Sequence, residues 1–595
     1  MTLIAGIFSR NDRPLTDSAC ASLRQTISRN PTDEVETFRD HRSYFAKVDI
    51  GAFREPGFFQ DPNGALSLLA GEPLLRDRET SARANRLQDL TVIHEQCLEN
   101  NSNILREADG TFCIVHYQPQ TGTLSLIADK LGIRPLYFWM DDNLVVFASA
   151  LRILEKLSFV PKKMDLRGVT EIVALGAPLV DRTPYAGIFF LKPAEIVQIT
   201  NGGTSRSRYW RWDEIKTESD SEPVRLATVY DRFQSAIKRR NRNDSGTAAY
   251  LSGGLDSRCI VATLCASGAR VRTVNFARPG TQDYYFGNDF AEKIGSAHES
   301  FPREKGDRIP DYSSLMAKAL GGSNHGQWPA ERSQLVWSGE GGSGVLGCVA
   351  VSESVVALMR AGKVDSAIEE YLQIEQKNIP AKLFRPEILE SLRDVIKQGI
   401  REELNELRAE DAGRNFYLLI MHNDHRRNLT RHFENIDLHR LEFQLPFFDA
   451  AFLESIVATP LDWCLRHKFY VKWLSQFAPA VTAVPWQTYP GHQPCPLPSD
   501  GELSNQWNEK FQAEERGAQR RTLLARASHL LSAPDFPHEI LSKRNLRLAA
   551  WTHLAGWRDY AYVIGAAQTY CEYSRNCDGK FALPNGDNHF EAQIK

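Results

Sequence analysis

The stretch TAAYLSGGLDSRCIVATL, residues 247–264, decides the fold. An apolar run ending at Leu251 meets Ser252-Gly253-Gly254-Leu255-Asp256-Ser257, and an apolar pattern then resumes. This order predicts a strand, a glycine-rich loop and a helix, the unit of an α/β fold. Glycines let the backbone approach a ligand closely, and the helix N-terminus adds positive potential, so the loop suits phosphates. Ser252 and Ser257 can donate hydroxyl hydrogen bonds to phosphate oxygens. Asp256 would repel phosphate directly and is expected to act through Mg²⁺. No lysine stands where a G-x-x-x-x-G-K-[ST] loop requires one, which excludes that phosphate-binding class.

Composition sets the outer limits. A chain of 595 residues exceeds one ordinary core, so two or more domains are expected. Hydrophobic residues are 42% and charged residues 24%, the balance of a globular enzyme. A formal charge of −3 gives no reason to expect nucleic acid or a membrane surface as partner. No apolar run approaches the ~20 residues that cross a bilayer. The opening MTLIAGIFSRNDRP lacks the basic start and apolar centre of a signal peptide. The ten cysteines are scattered without a C-x-x-C pair and read as reduced thiols of a cytoplasmic protein.

Two domains are expected, 1–212 and 213–595. The first is rich in short strands. CIVHYQPQTGTLSLIAD reads as a hairpin turning at Gln120-Thr121-Gly122. The polar segment after Trp210, WDEIKTESDSEPVR, reads as a linker, followed by a helix over about 223–241. RVRTVNF, 270–276, reads as a second strand. Residues 310–475 are mainly helical in pattern, and the last 120 mix helix with Pro-rich segments such as WQTYPGHQPCPLPSDGE. Histidines 422, 425, 432 and 439 have helical spacing, but no Cys or further carboxylate completes a metal cluster, so they read as a packed or substrate-facing helix. Arg426, Arg427 and Arg431 read as a solvated face or as contacts to an acidic partner. Cys571 and Cys577 read as free thiols.

The SGGLDS loop resembles the signature of ATP pyrophosphatases that make AMP and pyrophosphate, and within them the chain resembles the asparagine synthetase family. The supporting segments are ADGTFCIVHYQPQTGTLSLIADKLGIRPLYFW (108–139), FASALRIL (147–154), TPYAGIFFLKPAEIVQI (183–199), RYW (208–210), WSGEGGSGVLG (337–347) and LTRHFENIDLHRLEFQLPFFD (429–449). The resemblance implies an N-terminal glutaminase-like domain, an Ntn-type αββα sandwich, and then a pyrophosphate-loop α/β synthetase domain with a large helical part. It implies ATP and Mg²⁺ as cofactors.

One departure is informative. Glutamine-using relatives carry a cysteine nucleophile just before Gly-Ile-Phe; here that position is Ala5. A methyl group cannot attack an amide, so no glutaminase is expected and the nitrogen nucleophile must come from elsewhere. β-Lactam synthetases and lasso-peptide cyclases share this loss. VNFARPGTQDYYFGNDFAEKIG (274–295) looks most like the cyclases. That resemblance implies adenylation of an Asp or Glu side chain of a leaderless precursor peptide. The peptide's N-terminal amine then attacks, closing a macrolactam. A leader-removing cysteine protease and a leader-binding protein are the implied partners. The alternatives are a small-molecule amide or β-lactam synthetase, using an intramolecular amine or ammonia, and a non-catalytic ATP-binding scaffold.

Roles carry over by position. Leu251, Ser252, Gly253, Gly254, Asp256 and Ser257 hold the nucleotide, with Asp256 on the metal. Val274 matches a contact to adenine, and Ser338 and Gly339 match contacts to ribose and base. Glu340 matches the residue that takes part in the amine's attack. Ser343 stands where relatives place a second metal-binding Asp. Lys468 matches a lysine that neutralises pyrophosphate, and Lys472, one turn on, competes for that role. Asp283 is a further candidate for holding nucleotide or magnesium.

Overall fold

The computed structural model describes residues 2–76, 85–301, 311–322, 332, 334–499, 503–505 and 508–584. The first half contains two six-stranded antiparallel sheets. One runs in the order Ile188–Phe190, Tyr137–Met140, Leu144–Ala148, Thr2–Ser9, Ser43–Asp49, Glu36–Arg39. The other runs Gly203–Arg208, Glu195–Thr200, Thr123–Ala128, Phe112–Gln118, Leu66–Gly71, Phe58–Gln60. Their strands are apolar on both faces because both faces are covered. Phe8, Phe45 and Phe147 of one sheet meet Leu68, Val115 and Leu126 of the other. On the outside, Leu3 and Ile7 share a core with Leu23 of the helix Asp17–Thr26, and Ile114 and Ile127 with Leu90 and Ile93 of the helix Arg86–Leu98. This is the expected αββα sandwich. The hairpin forms as read, with Gln118 opposite Thr123. Ala5 is fully buried, between Ala46 and Ala148 on the neighbouring strands.

The second half is built on a five-stranded parallel sheet in the order Ala297–Ser300, Arg270–Asn275, Gly246–Tyr250, Leu335–Trp337, Glu442–Gln444. The chain leaves the central strand Gly246–Tyr250 toward one edge and returns to its other side at Leu335–Trp337. That reversal makes a crevice between the carboxyl ends of these two strands, where open α/β sheets bind ligands. The loop 251–255 and the loop after Trp337 both leave the sheet there.

The expected linker is pinned rather than loose. Trp212 is buried with its indole N–H donating to the Lys130 carbonyl at 2.7 Å, and Glu218 N–H donates to the Ala458 carbonyl at 2.8 Å. The helix after it spans Glu222–Asn241, close to the expected range. The expected boundary at 212/213 is also crossed by the chain's end. The strand Phe581–Ala582 pairs with Met164–Asp165, and Tyr570 of the helix Ala561–Asn576 shares a 2.6 Å hydroxyl contact with Thr170. All ten cysteines are unbridged. Among the described residues no helix is long and apolar enough to cross a membrane.

Candidate active site

The strand Gly246–Tyr250 delivers the opening loop, and the helix Asp256–Ala266 carries it away. The loop is braced from within and from one neighbour. Ser252 N–H donates to Ser257 Oγ at 3.0 Å, and Gly254 N–H to Ser252 Oγ at 3.2 Å. Gly253 N–H donates to Oδ1 of Asp283 at 3.1 Å. Asp283, in the first turn of the helix Gln282–Ile294, therefore shapes the loop through its backbone.

The second loop closes onto Asp256. A Cβ on Gly342 would stand 2.6 Å from Asp256 Oδ1, so only glycine permits this approach. Ser343 N–H donates to Asp256 Oδ2 at 3.1 Å, Ser343 Oγ to Oδ1 at 3.0 Å, and the Tyr470 hydroxyl to Oδ1 at 2.6 Å. Burial raises the pKa of this carboxyl, and these donors pull it back down. A carboxylate has roughly four acceptor positions. The three occupied ones leave room for a cation. Ser343, where a second acid was anticipated, thus orients the first one.

Asp256 lies between two cavities. The larger, about 820 Å³, is also lined by Ser252, Ser257, Tyr250, Ser338, Gly339 and Glu340. Its far wall is the long helix Ala412–Glu434, through Tyr417, Met421, Asp424 and His432. The His-rich helix therefore faces a chamber. His432 stacks on Phe443 with ring centres 3.6 Å apart and its Nδ1 lies 3.1 Å from Ser313 Oγ, while His439 lies 3.1 Å from Asp311. Arg431 lines the same chamber; the side chains of His425, Arg426 and Arg427 lie outside the described residues. Glu340 is exposed to the chamber but enclosed on its flanks. That enclosure, with the charges of Asp256 and Asp424 adding, pushes its pKa up to about 7. The smaller cavity, about 90 Å³, is walled by Ser252, Gly254, Asp256, Asp283, His467 and His492 among others.

Some expected residues are placed elsewhere. Val274 is buried in the core, its carbonyl accepting Leu251 N–H at 2.9 Å, and it lines neither cavity. Lys468 points outward: it is 47% exposed and its Nζ lies 2.9 Å from Glu353. Lys472 is 56% exposed and pairs with Glu222 at 2.7 Å. Lys468 opens a helix whose buried face belongs to Phe469 and Tyr470, and that packing turns both lysines away from the loop.

Beside Asp283 and Ser343, three further residues that meet the loop were not singled out in the sequence. Tyr470 reaches Asp256 from that same helix. Arg258 is fully buried and donates to the carbonyls of Gly254, Val481, Val484 and Pro485. It ties the Pro-rich segment to the loop, and Gln487 N–H adds a 3.0 Å bond to the Gly253 carbonyl. The only signal was an arginine in the first turn of a helix with little polar surface.

The donor set fits Mg²⁺. Among the described residues no three His, Cys, Asp or Glu side chains converge as a metal cage. Mg²⁺ rarely needs one, being held by one or two carboxylates together with phosphates and water. Asp256, on the chamber wall, supplies one such carboxylate.

Residues 75–210 match a glutamine amidotransferase domain model, and residues 228–474 match an asparagine synthase model. In both domains the chain is thus similar to the asparagine synthetase family. It is 25% identical over 256 residues to asparagine synthetase [glutamine-hydrolyzing] 3 of Bacillus subtilis, covering 40% of this chain and 41% of that protein. It is 26% identical over 164 residues to a putative asparagine synthetase of Methanocaldococcus jannaschii, covering 27% and 32%. An Arabidopsis thaliana asparagine synthetase aligns at 22% identity over 43% of this chain and 42% of its own. The chain thus spans less than half the length of each relative. The synthase match ends before the Pro-rich segment, so the segment that walls the small cavity lies outside it.

Proposed function

We propose that this protein is an ATP-dependent lasso-peptide cyclase. The observation that carries the reading is the pairing of two loops at the sheet's switch point. They share Asp256, and Glu340 faces a chamber that runs past the loop to the helix Ala412–Glu434. The SGGLDS loop and Ser338–Gly339 hold ATP; Mg²⁺ on Asp256 would screen the phosphate charge. An Asp or Glu carboxylate of the precursor attacks the α-phosphorus and pyrophosphate leaves. The peptide's N-terminal amine then attacks the activated carbonyl, the C–N bond forms, and AMP leaves with the former carboxylate oxygen. A group must accept the amine's proton. An α-amine titrates near ~7.7–8.0, and Glu340 near 7 is matched to it. Tyr250, Tyr371 and Phe443 give the chamber the aromatic surface a peptide tail needs while the ring closes. The buried Ala5 supports a first domain that docks and packs rather than hydrolyses glutamine. A leader-removing cysteine protease and a leader-binding protein are the partners of this reaction, in the cytoplasm.

The test is a mass spectrum of a candidate precursor incubated with this protein, the protease, ATP and Mg²⁺. Loss of the leader and of one water, with AMP formed, is expected. AMP formed with a small amino acid and no peptide moves the assignment to a small-molecule amide synthetase. ATP binding without turnover on either substrate leaves only the scaffold.

A further inference from the structure

An anion at the end of the SGGLDS loop enters the smaller cavity and meets carboxylates there, Asp256 and Asp283. No lysine or arginine is among the described residues that line it. The nearby cations are committed elsewhere. Arg258 is spent on four carbonyls. Lys468 and Arg466 both face Glu353, and Lys472 faces Glu222. The lining groups that can still become positive are His467 and His492.

These two rings are held with unusual care. Their Nδ1 atoms stand 2.8 Å apart, so one proton lies between them as a hydrogen bond. His467 is stacked between Tyr470, at 5.6 Å and 13°, and Tyr489, at 5.5 Å and 18°. Arg466 and His467 are consecutive non-glycine residues with φ of 55° and 62°, a strained left-handed conformation for both. The Gly347 carbonyl accepts His467 N–H, and a Cβ on Gly347 would lie 2.3 Å from His467 Nε2. Backbone strain, two aromatic faces and a glycine fix one imidazole beside the loop.

We propose that the His467–His492 pair is the cation of this site. It takes up one proton from solvent when pyrophosphate lies against the loop and releases it when pyrophosphate departs. The proposal rests on the reading that the loop holds the phosphates of ATP. It gives the histidines the charge-neutralising role that the sequence suggested for Lys468. The groups facing the pair are the Tyr470 and Tyr489 phenols, the Arg466 guanidinium, and Asp256 and Asp283 across the cavity. Arg466 and burial keep the empty pair neutral. An incoming tetra-anion reverses that balance, because it adds opposite charge within contact range.

Titration calorimetry of the full chain with inorganic pyrophosphate and Mg²⁺ tests this, run in buffers of different ionisation enthalpy to count protons. At pH 7.5 the wild type is expected to take up about one proton more than His492→Gln. His492 is only half-buried, so this variant should fold. Its affinity should be at least 10-fold weaker at pH 6.5 and converge on the wild type by pH 8.5. His467→Asn, which tolerates positive φ, should behave alike. Equal proton uptake in wild type and both variants overturns the proposal while the phosphate site stands. Failure of the wild type to bind pyrophosphate at all, with Asp256→Asn no different, removes the phosphate site and the proposal together.

Discussion

Asp256 is the carboxylate that both loops and both cavities share, and its three donors define its task. Tyr470, Ser343 Oγ and Ser343 N–H orient it and offset part of the rise in pKa that its burial causes. Asp256→Asn keeps the shape and removes the charge. It should bind Mg²⁺-ATP at least 10-fold more weakly and lose turnover by 10³ or more; turnover within 10-fold of wild type would remove the metal role. Glu340 acts later. Glu340→Gln should keep ATP–pyrophosphate exchange, which reports adenylation, and slow amide formation about 10²–10⁴-fold. The wild-type rate of amide formation should rise with pH through about 7, as Glu340 loses its proton, and the Gln variant should lack that limb. A rise through pH 7 that survives in the variant would assign the titration to another group. The loop residues and Glu340 were legible in sequence because glycine and acid types there have few other uses. The sequence leaves the direction of Lys468 open, because it depends on which helix face is buried, and Phe469 and Tyr470 decide that.

At the scale of elements, the Pro-rich segment is the part that sequence reading left without a role. Proline and glycine in WQTYPGHQP mark an irregular path but not what it lies against. Arg258 supplies that information only once the helix Asp256–Ala266 is placed, since its reach to residues 481–485 is a tertiary contact. Its full burial pushes its pKa down to about 10, so near neutral pH it remains a guanidinium whose charge is met by carbonyl dipoles and by the ring faces of Phe290 and Trp486. Arg258→Leu would strand those carbonyls and free the segment. The expected cost is about 3–5 kcal/mol. Limited proteolysis should then cut between residues 486 and 493, with pyrophosphate affinity lost in parallel. An uncut segment with normal affinity would show that Gln487 and the local turns suffice.

At the scale of the whole molecule, buried imidazoles in both halves are expected to set the acid limit of the protein. The sandwich was legible as strands and a hairpin, but not the buried polar pair at its edge. Ser67 Oγ lies 2.9 Å from Nδ1 of both His94 and His116. Burial lowers both imidazoles, His116 to about 3, with the neighbouring His94 adding to the effect. In the second half His298 is lowered to about 4 by burial. For each, the native pKa lies below the unfolded value near ~6.5. Between about pH 6.5 and 3, the unfolded chain therefore binds protons that the native chain refuses. Stability rises with pH across that window and is lost as pH falls through it, by a few kcal/mol per histidine. The midpoint of thermal unfolding, followed by tryptophan fluorescence, should fall steeply from pH 6.5 to 4.5. His116→Gln cannot take up the proton and should show a shallower fall, even if its midpoint at pH 7.5 is lower. An equally steep fall in the variant would place the acid limit in the carboxylate–arginine contacts between the two halves instead, where Asp109 meets Arg239 and where Glu442 meets Arg134.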